Sequence, residues 1–301
     1  MNPHTPPLFE GCATALATPF RNGSLDKPAF LRLLRQQLDG GVDALVVAGT
    51  TGESPTLTDG EKKWLFKTAA EVAAAAPRPI PVIAGTGSNN TRRACELSRM
   101  AEDCGCHGLL VVTPYYNKAS EAGLISHYEA VANATSLPII AYHVPSRTGC
   151  KMSPAACRKL AAIPNLVGLK DATGDLSFTA RTAALCGDSL PLYSGNDDQT
   201  LPILSLGGYG VISVVSNLCP EAMTRLCRLW REGKTAEARD LQLSLIPLCD
   251  ALFCEVNPIP VKAAMEMLGL CSDEVRLPLA KADERVRTKV AEALREVGML
   301  T

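Results

Sequence analysis

The sequence predicts an α/β protein built as a (β/α)8, or TIM, barrel with a helical extension at its C-terminal end. Three observations carry that expectation. Eight short runs rich in aliphatic and β-branched residues alternate with amphipathic helical stretches, and successive runs start 20 to 37 residues apart. The runs are nearly continuous in apolar residues, as strands covered on both faces of a parallel sheet must be. An open doubly wound sheet would carry Gly-x-Gly-x-x-Gly after an early strand. The nearest match, Gly85-Thr86-Gly87-Ser88-Asn89-Asn90, follows the third run and ends in asparagine.

The elements follow in order. A strand over 13–20 precedes a helix over 27–40, and a strand over 44–50 precedes a helix over 58–76 that opens with the capping-box pair Thr58 and Glu61. The third unit joins 81–87 to 91–104, the fourth 108–114 to 121–134. In the fifth, 138–144 leads to a helix over 154–162, where Ser153-Pro154 sets proline at the first helical position. Strands over 166–172 and 190–196 precede helices over 175–186 and 198–206, and the eighth strand covers 210–216. Beyond it the pattern is helical over 220–232, 235–253, 260–268 and 282–297. The expected division is a catalytic barrel over 1–230 and a helical extension over 231–301 that serves assembly, with no low-complexity linker between them.

Composition narrows the function. Of 301 residues, 30 are Lys or Arg and 31 Asp or Glu, a formal net charge of −1 that supplies no broad basic surface for nucleic acid. The longest apolar runs, 44–48 and 108–112, are far shorter than the ~20 residues that cross a bilayer. The start, Met1-Asn2-Pro3-His4-Thr5-Pro6-Pro7, has neither the charged nor the apolar part of a signal peptide. The expectation is a soluble cytoplasmic protein with reduced thiols. Its twelve cysteines are scattered, without a Cys-x-x-Cys pair. Cys104-Gly105-Cys106-His107 is the one cluster that suggests a metal, and His4, His127 and His143 offer it no second ligand pair. The cysteines therefore read as small buried side chains, and no metal is expected.

In such barrels the chemistry sits where strands end and βα loops begin. Lys170 stands inside the sixth strand, where lysine is rarely buried. Burial disfavours the ammonium, and the free amine it leaves is the nucleophile for a Schiff base with a carbonyl substrate. Position alone leaves a second reading open, a pairing with Asp171 or another acid at the strand end. An imine route needs proton carriers, and Thr50, Tyr116 and Tyr142 lie at strand ends; taken singly each tyrosine reads as an amphipathic packing residue, but three of the six, Tyr115, Tyr116 and Tyr142, fall at the same face. Gly49-Thr50-Thr51-Gly52 either cradles an anion with backbone N–H groups and hydroxyls or makes a tight turn. Arg147, in a loop, either forks onto a carboxylate or is simply solvated. Together these groups describe an α-keto-acid site.

Four strings stand in a distinctive order and spacing: Gly49-Thr50-Thr51-Gly52-Glu53-Ser54, Thr113-Pro114-Tyr115-Tyr116-Asn117, Tyr142-His143-Val144-Pro145-Ser146-Arg147-Thr148-Gly149 and Gly168-Leu169-Lys170-Asp171. On these the chain resembles, over essentially its whole length, the 4-hydroxy-tetrahydrodipicolinate synthase (dihydrodipicolinate synthase) family of pyruvate-dependent class I aldolases. The resemblance implies that Lys170 forms an imine with pyruvate, whose enamine attacks L-aspartate 4-semialdehyde on the route to diaminopimelate and lysine. It implies a proton relay of Thr50, Tyr142 and Tyr116, the last lent by a neighbouring subunit of a homotetramer made of tight dimers. It assigns Thr51 to the pyruvate carboxylate, Gly195 and Ile212 to the pyruvate pocket, and Arg147 to the semialdehyde carboxylate. No metal or nucleotide cofactor is implied.

Arg147 separates this reading from sibling aldolases such as N-acetylneuraminate lyase or keto-deoxy-sugar-acid aldolases, which share the lysine and tyrosine but typically lack the arginine. A non-catalytic keto-acid-binding protein is the alternative of another class. His143 replaces the asparagine more common after the tyrosine. Ser54, Asn89 and Tyr115 match positions where lysine-inhibited relatives bind the inhibitor. The histidines and acid of those relatives are replaced here by Asp59, Lys62 and Arg93, and added cations repel a lysine ammonium. Weak or absent lysine inhibition is the expectation.

Overall fold

Eight parallel strands close on one another in chain order in the computed structural model, which describes residues 6–300. His4 and most of the N-terminal stretch read above lie outside those residues. The strands are β1 (Gly11–Ala15), β2 (Ala44–Val47), β3 (Val82–Gly85), β4 (Gly108–Val112), β5 (Ile139–His143), β6 (Leu166–Asp171), β7 (Leu192–Ser194) and β8 (Gly210–Ser213), and β8 pairs with β1 to complete the ring. Around them run α1 (Lys27–Asp39), α2 (Asp59–Ala74), α3 (Thr91–Asp103), α4 (Glu121–Ala132), α5 (Pro154–Leu160), α6 (Leu176–Cys186), α7 (Thr200–Ser205) and α8 (Pro220–Arg231). The extension adds α9 (Thr235–Ser244), α10 (Ile246–Leu252), α11 (Ile259–Met267) and α12 (Glu284–Glu296).

The near-continuous apolar strands are explained by two cores. Ala44 and Val46 point inward with Ala13, Ile83, Ile140, Tyr193 and Ile212, filling the barrel. Leu45 and Val47 point outward into the shell between strands and helices. Successive strand residues alternate faces, so a strand buried on both sides must be apolar at every position. The floor of the barrel is sealed by Phe9, stacked on Tyr193 at 4.4 Å between ring centroids.

Two expected elements differ. The strand over 13–20 stops at Ala15, and Phe20–Arg21 pairs instead with Ser24–Leu25 in a hairpin. Pro19 cannot donate to a ladder, and Asn22-Gly23 supplies two left-handed residues (φ 53° and 78°) for a tight turn. The helix over 235–253 breaks after Ser244, because Pro247 has no N–H for a continuing helix and restarts it at a first turn. Caps fall as the sequence implies: Thr58 and Glu61 make a reciprocal box, and Ser153 accepts from the Ala156 amide.

All twelve cysteines are free thiols. His107 accepts from the Val82 amide and Cys104 donates to the Lys63 carbonyl, and among the described residues no three His, Cys, Asp or Glu side chains gather as metal ligands. Among the same residues no helix is long and apolar enough to cross a membrane.

Candidate active site

Lys170 is the penultimate residue of β6, flanked in register by Tyr142 of β5 and Tyr193 of β7. It is 5% exposed, and its Nζ lies 4.4 Å from the centroid of the Tyr142 ring. The alternative pairing with Asp171 does not form. Asp171 is turned to the other face, where it accepts from the Thr173 amide (2.9 Å), the Thr173 hydroxyl (2.7 Å) and the Thr179 hydroxyl (2.6 Å). Burial pulls the Lys170 pKa down to about 8, helped by the Arg147 charge and opposed by Asp197. Asp197, itself buried, is fixed by the Ser213 hydroxyl and by the Val214 and Val215 amides at 2.9 and 3.2 Å. It acts on the lysine across a distance without forming an ion pair with it.

The loop after β2 brings up the hydroxyls. Ala48 and Glu53 both take left-handed conformations (φ 53°), and the Glu53 amide bonds the Thr50 carbonyl, so the chain curls tightly between them. Thr51 is buried, and its Oγ1 accepts from Asn257 Nδ2 at 2.9 Å. The Tyr142 phenol is raised above its usual value by burial, while the Arg147 charge and a hydrogen bond with Thr50 pull it back. Gly195, at the end of β7, allows a close approach: a Cβ there would lie 2.6 Å from the Ala172 Cβ and 2.9 Å from the Asp171 carbonyl oxygen.

These groups line one cavity of about 160 Å³, into which Lys170, Tyr142, Thr50, Thr51, Arg147 and Gly195 all converge. That volume suits a three-carbon keto acid. Arg147, in the single turn Pro145–Thr148 after β5, stands exposed at the mouth and donates to the Asn257 carbonyl at 3.3 Å. Two expected residues are placed elsewhere. Ile212 packs in the inner barrel core, and it is Val214, two residues on, that lines the cavity. Tyr116 does not line the cavity of its own chain: it is 89% exposed, with φ 70°.

A larger cavity of about 490 Å³ continues from the first, sharing Thr50, Tyr142 and Arg147. Ser54, Tyr115, Lys62 and Arg93 line it. Asn89 does not; it exchanges hydrogen bonds with Asn117. Lys62 is buried, and desolvation together with the Arg93 charge pulls its pKa to about 8. Arg93 is paired with Asp59 and with Glu96. His143 is buried outside the site, where its Nε2 accepts from the Met152 amide at 3.0 Å, and desolvation lowers its pKa to about 4.

Sequence reasoning missed Asn257 and Phe253, which the extension places in the cavity wall. The expectation for the extension is a role in assembly; in the structure Phe253 and Asn257 make it part of the cavity wall. The available signal was Asn257-Pro258, a turn marker interrupting a helical pattern. Also unforeseen was the buried pair of Glu53 with Lys262, which ties the loop of Thr50 and Thr51 to α11.

The family described as the dihydrodipicolinate synthetase family matches residues 8–297. The 4-hydroxy-tetrahydrodipicolinate synthase of Clostridium perfringens (strain SM101) is 44% identical over 293 residues, 97% of this chain and 100% of the relative. That of Thermotoga neapolitana is 45% identical over 297 residues, with the same coverage. The crystal structure of dihydrodipicolinate synthase from Thermotoga maritima is similar with a TM-score of 0.94 at 43% identity, covering 97% of this chain and 100% of that one. With its closed barrel, its helical extension and its buried strand-end lysine, the chain belongs to the dihydrodipicolinate synthetase family.

Proposed function

We propose that the protein is a lyase of the class I aldolase type with 4-hydroxy-tetrahydrodipicolinate synthase activity, condensing pyruvate with L-aspartate 4-semialdehyde. The observation that carries this reading is Lys170, buried at a strand end with its pKa drawn to about 8 and facing a cavity sized for a keto acid. The free amine attacks the keto carbon of pyruvate and expels water as the imine forms. Loss of a methyl proton gives the enamine, whose carbon attacks the aldehyde. The amino group of the second substrate then closes the ring on the imine carbon and releases Lys170. Tyr142 and Thr50, in hydrogen-bond contact, are placed to pass protons to and from the carbinolamine. The Thr51 hydroxyl and its loop suit the pyruvate carboxylate, and the Arg147 guanidinium suits the carboxylate of the semialdehyde. The iminium is the electron sink, so the route calls for no metal or nucleotide.

The assembly we propose is a homotetramer of tight dimers in which each Tyr116 reaches the neighbour's site to complete the relay. Its support is an aromatic side chain held out in solvent by a left-handed backbone. Mixing inactive Tyr116→Phe and Lys170→Ala proteins restores activity if the hydroxyl is shared and restores none if each chain works alone. Twelve free thiols suit the reducing cytoplasm. The activity itself is tested by supplying pyruvate and L-aspartate 4-semialdehyde and following the cyclic product through a coupled reduction. Turnover that disappears in Lys170→Ala is expected. Cleavage of N-acetylneuraminate or a keto-deoxy sugar acid without semialdehyde turnover would overturn the assignment.

A further inference from the structure

Asn257 is held by two hydrogen bonds, and a third polar group is left without one. Its Nδ2 donates to Thr51 Oγ1 at 2.9 Å, its backbone carbonyl accepts from Arg147 at 3.3 Å, and its side chain is buried in the wall shared by both cavities. Its Oδ1 is buried with no hydrogen-bond partner. Six buried side-chain atoms among the described residues lack a partner, and Asn257 Oδ1 alone belongs to a residue lining these cavities. A buried acceptor without a donor is unfavourable, so one carried by a residue that lines a binding cavity is best explained by a donor that arrives with the ligand.

The orientation of the carboxamide follows from Thr51. A hydroxyl has one proton to give. If Thr51 gave it to Asn257, none would remain for a carboxylate in the cavity. With Nδ2 as donor, Thr51 accepts from Asn257 and keeps its proton for the ligand. Oδ1 is then the free end, on the residue whose backbone carbonyl accepts from the guanidinium of Arg147. An acceptor oxygen and a guanidinium held on one residue match the two charged groups on the α-carbon of an amino acid.

We propose that Asn257 Oδ1 accepts a hydrogen bond from the α-ammonium of the second substrate while Arg147 takes its α-carboxylate. The inference rests on the proposed function for the identity of that substrate. Asn257 thereby sets specificity: it favours an amino-acid aldehyde over the same aldehyde without nitrogen. It also places the nitrogen that must later attack the imine carbon. Through Thr51 it links the seats of the two substrates, so the extension contributes to recognition.

The test compares L-aspartate 4-semialdehyde with succinate semialdehyde, which keeps the aldehyde and carboxylate but has hydrogen in place of the ammonium. Dissociation constants are measured in full-length Lys170→Ala protein with pyruvate present, so that no product forms, and turnover is measured separately in protein retaining Lys170. Asn257→Leu is expected to weaken the amino-acid aldehyde ~10–100-fold, the range for one hydrogen bond to a charged group, and to change the succinate analogue less than ~3-fold. Asn257→Asp, which keeps an acceptor oxygen there, is expected to retain the preference. A merely structural role would weaken both aldehydes alike. Equal weakening of both, an unaltered preference in Asn257→Leu, or no preference in the parent protein would overturn the inference. A preference lost in Asn257→Leu supports it even where turnover is absent, and absent turnover counts against the proposed reaction alone.

Discussion

Removing Lys262 should destabilise the protein far more than removing Lys262 and Glu53 together. The two side chains are 0% and 1% exposed. Glu53 accepts from Lys262 and from the Arg276 amide at 2.9 Å, and Lys262 also donates to the Glu274 carbonyl at 2.7 Å and lies 4.2 Å from the centroid of the Phe20 ring. Lys262→Met leaves the Glu53 carboxylate buried with one backbone donor, and breaking such a pair costs ~3–5 kcal/mol. At ~2–4 °C per kcal/mol for a large domain, the melting temperature falls by about 10 °C. The double variant Glu53→Gln/Lys262→Met buries no charge, and an ion pair replaced by neutral groups is often close to neutral in stability. It should therefore recover at least half of the loss. Thermal and denaturant unfolding followed by circular dichroism provide the measurement, with both single variants completing the cycle. A loss below ~1 kcal/mol in Lys262→Met, or a double variant whose loss is the sum of the singles, would refute the reasoning.

Three further outcomes follow from the site. The rate of pyruvate imine formation should rise with pH and level off above about 8, since the free amine is ~10% at pH 7 with that pKa against ~0.03% at 10.5; a rise continuing past pH 10 in stopped-flow traces contradicts it. Arg147→Ala should raise KM for L-aspartate 4-semialdehyde ~10–100-fold while pyruvate is still trapped on Lys170; an unchanged KM removes Arg147 from recognition. L-Lysine should inhibit weakly or not at all, because the cavity of Ser54 and Tyr115 presents Lys62 and Arg93 to an arriving ammonium; half-inhibition at submillimolar lysine in the coupled assay contradicts this.

The barrel was legible because burial on both faces of every strand writes itself as unbroken apolar runs, and because the runs recur at the spacing of βα units. Its errors fell where local chemistry overrode the pattern: Pro19 and Asn22-Gly23 ended the first strand and formed a hairpin. Lys170 could be found because a lysine in such a run is anomalous whatever surrounds it. Whether it paired with Asp171 could not be read from position, since that depends on Thr173 and Thr179 satisfying Asp171 on the opposite face. Asn257 and Lys262 were invisible for a simpler reason. Each meets its partner from more than 200 positions away, and neither occupies a strand end. A rule that looks for chemistry at the ends of barrel strands passes over a residue carried back to the mouth by the extension.

The central claim is that Lys170 is the amine that binds the keto acid. Incubating the protein with pyruvate, reducing with borohydride and mapping peptides by mass tests it most directly. The account predicts one stable pyruvate-derived adduct, on the peptide containing Lys170. An adduct elsewhere, or none at a pH where the amine is free, would contradict it.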